Sequence, residues 1–209
     1  MVDLTSLSMF IGAVLLLLMS PGPNMAFVIS HGVRYGWRGG VASGIGIGVA
    51  DLLLTVLTAT GVTAIIAGWP PAFDLIRYAG VLYLLWLAFK ALQRPVSDIV
   101  SQAPLVPLKT VLVRALLNSV LNPKAVLFFM VFLPQFVRPE EGAVAFQLIN
   151  LGVVLTLVSV VFHTLLGVFG GALSRCFSAS SRFSRAQARV LAVVLLVLAL
   201  RLALMARPA

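Results

Sequence analysis

Six long apolar segments dominate this sequence and restrict its fold more than any other feature. They cover residues 4–30, 40–68, 71–92, 110–136, 144–173 and 188–206. A helix that crosses the hydrocarbon core of a bilayer needs about 20 mostly apolar residues. The sequence therefore predicts an all-α integral membrane protein with six transmembrane helices.

The composition agrees with a membrane protein and excludes most other classes. Hydrophobic residues make up 61% of the chain and charged residues only 10%, whereas a soluble domain has about 25% charged residues. The net charge of +9 comes from basic residues between the apolar segments, so it indicates membrane topology and not a nucleic-acid partner. The single cysteine, Cys176, excludes an intramolecular disulfide. No Cys/His cluster has the spacing of a metal site, so neither a metal nor a cofactor is expected.

The distribution of basic residues predicts the orientation in the membrane. Ten of them lie in the connections that begin near Arg34, Lys90 and Arg175, and four lie on the opposite side. The positive-inside rule then places both termini outside the cell membrane. The sixth segment is the weakest, since Arg189 and Arg201 bracket a short apolar stretch. Five spans with a re-entrant first or last segment is the alternative, and it would move one terminus.

The two halves of the chain follow one pattern. Each begins with a helix that is broken in its middle, at Pro23-Asn24 or at Asn122-Pro123-Lys124, and continues with a long helix and a shorter one. Because three spans per half is an odd number, the halves must face opposite ways across the membrane. The sequence predicts an inverted 3+3 repeat with broken helices 1 and 4. A single transporter domain is expected at residues 1–209. Its first repeat covers about 1–92 and its second about 108–209.

Each long helix has one polar, narrow face. Positions spaced 4, 3 and 4 residues apart share a helix face. The second span places Gly44, Gly48, Asp51 and Thr55 on that face, and the fifth places Gly152, Thr156, Ser159 and His163. His163 could relay protons, although hydrogen-bonded packing is the favoured interpretation.

A glycine repeats every fourth residue from Gly32 to Gly48, through Gly36, Gly40 and Gly44. Such a series would give a smooth helical groove. Small residues let two membrane helices approach closely, so Gly40, Gly44 and Gly48 are predicted to pack against another helix.

The two helix breaks are predicted to form a polar binding site. Proline has no backbone N–H, so Pro21 and Pro23 leave the carbonyls of Leu17 and Met19 without helical partners. In the second break Asn122 suits the N-cap and Pro123 the first helical position, and Ser20-Pro21 suits the same roles in the first. The backbone N–H groups of such helix starts attract a carboxylate. The alternative is that the prolines only kink the helices.

Two charged residues lie deep in the predicted spans. Lys124 is about a dozen residues from either end of its span, roughly 18 Å, so it should face a partner or a cavity. Asp51, the only acidic residue well inside a span, can bind a cation, take up a proton or form a structural pair with Lys124. Asn118 and Asn122 share a face, so they either line a cavity together or join helices.

No catalytic residues are predicted. Neither histidine has a nearby Ser or Cys in a nucleophile motif, and no paired carboxylates lie within the spans. A membrane-embedded regulator or enzyme is therefore only the alternative class.

Four stretches resemble the lysine-exporter (LysE/RhtB) family of bacterial amino-acid exporters. They are SPGPN at 20–24, GVASGIGIGVAD at 40–51, YAGVLYLLWLAFKAL at 78–92 and NSVLNPKAVLFFMVFLPQF at 118–136. The resemblance implies a proton-driven efflux antiporter for small amino acids or their relatives. The residues that match its motifs are Pro21, Gly22, Pro23, Asn24, Asn122, Pro123 and Lys124. Asp51 carries over less securely, because the acidic position after the glycines varies in the family.

The predicted function is thus a secondary active exporter of amino acids or close derivatives in the bacterial inner membrane. Half-helix N-termini and Lys124 are expected to hold the substrate carboxylate near the membrane midplane, while Asp51 meets the ammonium or exchanges a proton. The expected partners are the substrate, protons and the lipid bilayer, and association into a homo-oligomer is left open. Export of another small solute or of a cation is the alternative within transport.

Overall fold

The computed structural model describes residues 4–19, 22–68 and 105–170, together with single positions between 75 and 89 and between 189 and 204. All regular structure in this part of the chain is helical, which confirms the predicted all-α class for these residues. The predicted third and sixth spans, like Pro21, lie outside the continuous described ranges. Six spans and an inverted repeat therefore stay predictions.

The described residues form six α-helices. In chain order they are α1 (Leu4–Leu18), α2 (Pro23–Tyr35), α3 (Trp37–Gly68), α4 (Leu108–Val120), α5 (Pro123–Leu127) and α6 (Val144–Val168). Between α5 and α6 the chain adds a π-helical turn and two 3₁₀ turns, at Phe128–Phe132, Leu133–Phe136 and Pro139–Glu141.

The helical path is interrupted at two residues that each precede a proline. Gly22 has φ −171° and ψ −179°, and Asn122 has φ −77° and ψ 109°, so both are extended. The proline ring crowds the preceding residue and disfavours its helical conformation, which ends the helix there. The helix axis turns by 67° between α1 and α2, and by 62° between α4 and the segment that begins with α5.

Two of the helices are long and apolar enough to cross a bilayer by themselves, namely α6 and the Trp37–Gly61 part of α3. Each bent pair also qualifies when its halves are taken as one span, so the described residues provide two to four candidate spans. On these helices Val56, Leu57, Leu157 and Val161 are each more than half exposed. Aliphatic faces of this length suit the hydrocarbon of a bilayer and not water.

The glycine face of α3 lies along α6, and these two helices make the most extensive contact among the described elements. A methyl group added at any of three glycines would overlap α6: Gly48 faces Val160, Gly44 faces Thr164 and Gly40 faces Gly167. The missing side chains are what allow the two backbones to approach this closely.

The glycine series is interrupted at Gly36, so the prediction of one smooth groove is wrong. Gly36 has φ 63°, a left-handed conformation that glycine adopts without steric cost, and it ends α2. α3 begins at the next residue, Trp37. α2 and α3 are therefore separate helices, and Gly32 and Gly40 on either side of Gly36 both pack against Gly167.

A polar turn joins the second broken helix to α6. Arg138 Nη1 donates to Glu141 Oε1 at 2.8 Å, and this hydrogen bond holds the pKa of the exposed Glu141 carboxyl below its usual range. The Gln147 side chain closes the turn, because its Oε1 accepts from Arg138 N at 3.0 Å and its Nε2 donates to Arg138 O at 2.8 Å. Such a connection suits the point where the chain leaves the bilayer.

Candidate functional site

A cavity of about 50 Å³ lies where the two helix breaks meet the long helices. Its polar wall consists of Asn24, Asp51, Asn122, Lys124, Ser159 and His163. Its apolar wall consists of Leu17, Leu18, Met25, Ala125, Phe128, Phe129 and Leu155, and Gly22 completes the lining. One water needs about 10–15 Å³ of such volume, so the cavity holds a few waters, and a larger solute requires the walls to move.

Three asparagines join the two breaks. Asn24 Oδ1 accepts from Nδ2 of Asn118 at 2.9 Å and from Nδ2 of Asn122 at 3.2 Å. Nδ2 of Asn24 donates to Ser119 Oγ at 3.0 Å. Asn118 thus contacts the site through Asn24. Because lipid offers no hydrogen bonds, these amides satisfy one another and hold the first break against the second.

The two half-helices begin differently. Asn122 Oδ1 accepts from Lys124 N at 3.1 Å, which confirms Asn122 as the N-cap, with Pro123 at the first position of α5. The sequence predicted Ser20 as the N-cap of α2 and Pro21 as its first residue. α2 instead begins two residues later, at Pro23, because Gly22 is extended. No side chain in the described part of the chain caps α2, and its first backbone bond is Ala26 N to Gly22 O at 3.0 Å. The N–H groups of Asn24 and Met25 precede that bond and are available at the cavity wall.

Lys124 reaches back to the first broken helix. Its Nζ donates at 3.3 Å to the carbonyl oxygen of Leu17, in the last turn of α1. The helical partner of that carbonyl would be the amide of Pro21, which has no N–H. The lysine therefore replaces a hydrogen bond that the proline removes. Among the described residues no ion pair joins Lys124 to Asp51, although both line the cavity.

Asp51 lies opposite a serine and a histidine of α6. The three side chains are buried, with 4% of Asp51, 1% of Ser159 and 3% of His163 exposed. The Ser159 side chain lies close to the Asp51 carboxyl, whose buried Oδ2 atom has no hydrogen-bond partner among the described residues. His163 Nδ1 lies 3.2 Å from Ser159 Oγ and 2.9 Å from the Ser159 carbonyl oxygen.

The structure brings most of the predicted site residues together. Gly22, Asn24, Asp51, Asn122 and Lys124 line the cavity, Asn118 contacts it through Asn24, and Pro23 and Pro123 start the half-helices. Gly40, Gly44 and Gly48 lie instead in the contact between α3 and α6. Pro21 lies outside the described residues.

The sequence interpretation missed Ser159 as a site residue and favoured packing for His163. A signal for Ser159 was present, because Asp51 and Ser159 hold the third place in the two matching face patterns. The two faces run in opposite directions, with Thr55 against Gly152 and Gly44 against Thr164, so positions near the middle of the two patterns lie side by side. The described residues contain no group of three His, Cys, Asp or Glu side chains that could hold a metal ion.

Three relatives of similar sequence are each named as a leucine efflux protein. A family model described as LysE type translocator matches residues 15–206. The chain is 31% identical over 202 residues to a leucine efflux protein of Klebsiella pneumoniae subsp. pneumoniae, covering 96% of this chain and 95% of the relative. For a leucine efflux protein of Enterobacter sp. the identity is 34% over 164 residues, which cover 78% of this chain and 77% of the relative. One of Salmonella choleraesuis is 29% identical over 195 residues, covering 92% of each. No solved structure is significantly similar to the chain.

Proposed function

Because the chain belongs to the LysE type translocator family, we propose that it exports an amino acid or a close derivative and binds it in the central cavity. Membership in that family makes it a multi-pass membrane transporter and not an enzyme. One observation carries the proposal: both helix breaks, the buried acid of α3 and the lysine of α5 converge on one cavity. If the prolines served only to kink the helices, the two breaks would not be expected to line one cavity together with a buried acid and a lysine.

The substrate carboxylate is held at one side of this cavity. The N–H groups of Asn24 and Met25 lie at the start of α2, a helix of 13 residues whose dipole favours a negative charge there. The Lys124 ammonium lines the same cavity, where it also donates to the Leu17 carbonyl. Together they provide the charge and the directed donors that a carboxylate needs.

The side chain of the substrate lies against the apolar wall. The side chains of Leu17, Met25, Phe129 and Leu155 contribute aliphatic, thioether and aromatic surface. Burial of a leucine-sized side chain there is worth about 1.5–3 kcal/mol, whereas a charged side chain would lose its hydration. The relatives named leucine efflux protein point the same way. Leucine and other aliphatic amino acids are therefore the preferred substrates.

Asp51 lies opposite these donors and either meets the substrate ammonium or exchanges a proton. Export is coupled to the proton gradient across the bacterial inner membrane, so the protein works as an antiporter. The six predicted spans form the inverted 3+3 repeat, and the two repeats rock around the cavity to open it to one side at a time. The small volume of the cavity in the described state agrees with a site that opens only in part of the cycle.

Counterflow in proteoliposomes tests the substrate. Purified protein is reconstituted into vesicles loaded with unlabelled leucine, and entry of labelled leucine, isoleucine, lysine or glutamate is measured at equal pH on both sides. We expect exchange of the aliphatic amino acids and little exchange of the charged ones. Rates equal to those of protein-free vesicles for every amino acid would refute amino-acid export and direct the search to other small solutes or cations.

A further inference from the structure

A line of three buried side chains crosses from α6 to α3 beside the substrate cavity. It runs from His163 through Ser159 to Asp51, and each of the three lines the cavity. The other titratable group in the cavity wall is Lys124 of α5. Within the described residues, α1 and α2 contribute only neutral side chains to that wall, and α4 contributes none. The carboxyl of Asp51 therefore faces one fixed cation and one imidazole.

The hydrogen bonds of this line have a direction. A carbonyl oxygen can only accept, so His163 Nδ1, 2.9 Å from the Ser159 carbonyl oxygen, carries the ring proton. The same N–H points at Ser159 Oγ, 3.2 Å away. The Ser159 hydroxyl lies close to the Asp51 carboxyl in the same cavity and can turn its own proton toward it. The line thus leads from His163 toward Asp51, and His163 Nε2 keeps a lone pair that can accept a proton.

From this geometry we infer that Asp51 is the binding site of the coupling proton, which arrives through His163 and Ser159 and displaces the substrate ammonium. The part of this inference that concerns displacement of the substrate ammonium rests on the proposed function. A proton binds at Nε2, the Nδ1 proton moves to Ser159 Oγ, and the hydroxyl proton moves to Asp51. His163 ends neutral as its Nε2–H tautomer, Ser159 is a hydroxyl again, and Asp51 has become a neutral acid. Release of the proton reverses these transfers.

The environment of Asp51 suits such an exchange. A carboxylate can accept about four hydrogen bonds, yet the described contacts of this one are few and its Oδ2 atom is buried. A buried charge with few hydrogen bonds is costly, so the site needs a cation at that oxygen. A proton and a substrate ammonium both meet this need, and the single carboxylate cannot satisfy both at once. Competition at Asp51 is the physical basis for antiport.

Infrared spectroscopy of purified, reconstituted protein tests the proton site without any transport. A protonated carboxyl has its own C=O stretching band. We expect such a band to appear as the pH is lowered, to be missing in Asp51→Asn, and to weaken when leucine is added to protein that exchanges leucine. A band unchanged in Asp51→Asn, or one that leucine leaves unchanged in such protein, would overturn the inference. If the Asp51 band titrates but no amino acid is exchanged, the proton site is supported and the proposed substrate is refuted.

Transport measurements test the route through Ser159. Ser159→Ala removes the bridging hydroxyl, so transport driven by a pH gradient should slow much more than leucine counterflow, which needs no net proton movement. Thr156→Val is the matched control, because the Thr156 hydroxyl on the same helix donates to the Gly152 carbonyl at 2.8 Å. It should leave both rates near those of the unmodified protein. Equal slowing of both modes by Ser159→Ala would show a structural role and overturn the relay.

Discussion

At the scale of single residues, Lys124 links the two breaks by compensating for a missing amide. Its ammonium binds the Leu17 carbonyl, which Pro21 leaves without a helical partner, and it still faces the cavity. An intramembrane lysine is costly unless it has such partners. The residue therefore stabilises the first break from the position at which the proposed function needs a positive charge.

A double-mutant cycle tests whether Lys124 and Asp51 act in transport or only form a structural pair. We expect Lys124→Met, Asp51→Asn and the double variant all to lose leucine efflux while the folded protein stays in the membrane. Lys124→Met keeps much of the stem volume and removes the charge that holds the carboxylate. Yield, thermal stability and efflux are measured for each variant.

A purely structural pair would give another pattern in this cycle. Removing one partner of a buried ion pair typically costs about 3–5 kcal/mol, because the remaining charge is left buried. Replacing both residues would then restore function. Recovery of efflux in the double variant would exclude binding roles for both Lys124 and Asp51.

Asn24 is the centre of the amide network and should be sensitive to truncation. Asn24→Ala leaves Asn118, Ser119 and Asn122 without their partner. We expect a loss of about 1–2 kcal/mol in the free energy of unfolding, the range measured for polar contacts between membrane helices in model peptides. Unfolding in mixed micelles with increasing denaturing detergent gives the measurement.

Asn150→Ala is the control for this prediction, since Asn150 is an exposed amide near the start of α6. A surface change of this kind should stay within about 0.5 kcal/mol. Equal stability of the two variants would mean that the amide network contributes nothing measurable.

At the scale of elements, the contact between α3 and α6 depends on glycine. Gly48→Leu would force a side chain into the space that Val160 occupies. Overpacking of this kind typically costs about 1–3 kcal/mol. We expect a lower yield of folded protein and weaker efflux, measured by size-exclusion profile and leucine counterflow.

Gly61→Leu provides the comparison on the same helix. A Cβ at Gly61 meets nothing within 4 Å, so this substitution makes the same gain in helix propensity without the clash. Folding and counterflow should stay normal. If Gly48→Leu behaves like Gly61→Leu, the two long helices are held together by contacts other than the glycine face.

At the scale of the whole molecule, orientation follows from the basic residues and the number of spans. With ten of them on one side and four on the other, and with six spans, both termini are expected in the periplasm. Tags at each terminus should therefore react with an impermeant reagent in intact cells. Two protected tags would reverse the orientation, and one protected tag would indicate five spans.

The sequence by itself determined the features that depend on neighbouring residues. Hydropathy gave the helical membrane class, and the prolines placed the two breaks, because ring sterics act on the residue before them. The Asn122 cap also follows from local geometry, since its side chain bonds the amide two residues on. Residue spacing predicted the face that carries Gly48 and Asp51.

Only the tertiary structure decided which faces meet. Helical periodicity assigns a residue to a face, but the rotation and neighbours of that helix depend on packing against helices far away in the chain. Tertiary packing pairs Asn24 with Asn118, brings Lys124 to the Leu17 carbonyl and places Ser159 beside Asp51. These contacts join residues from about 94 to 108 positions apart, a separation over which local sequence rules have no influence.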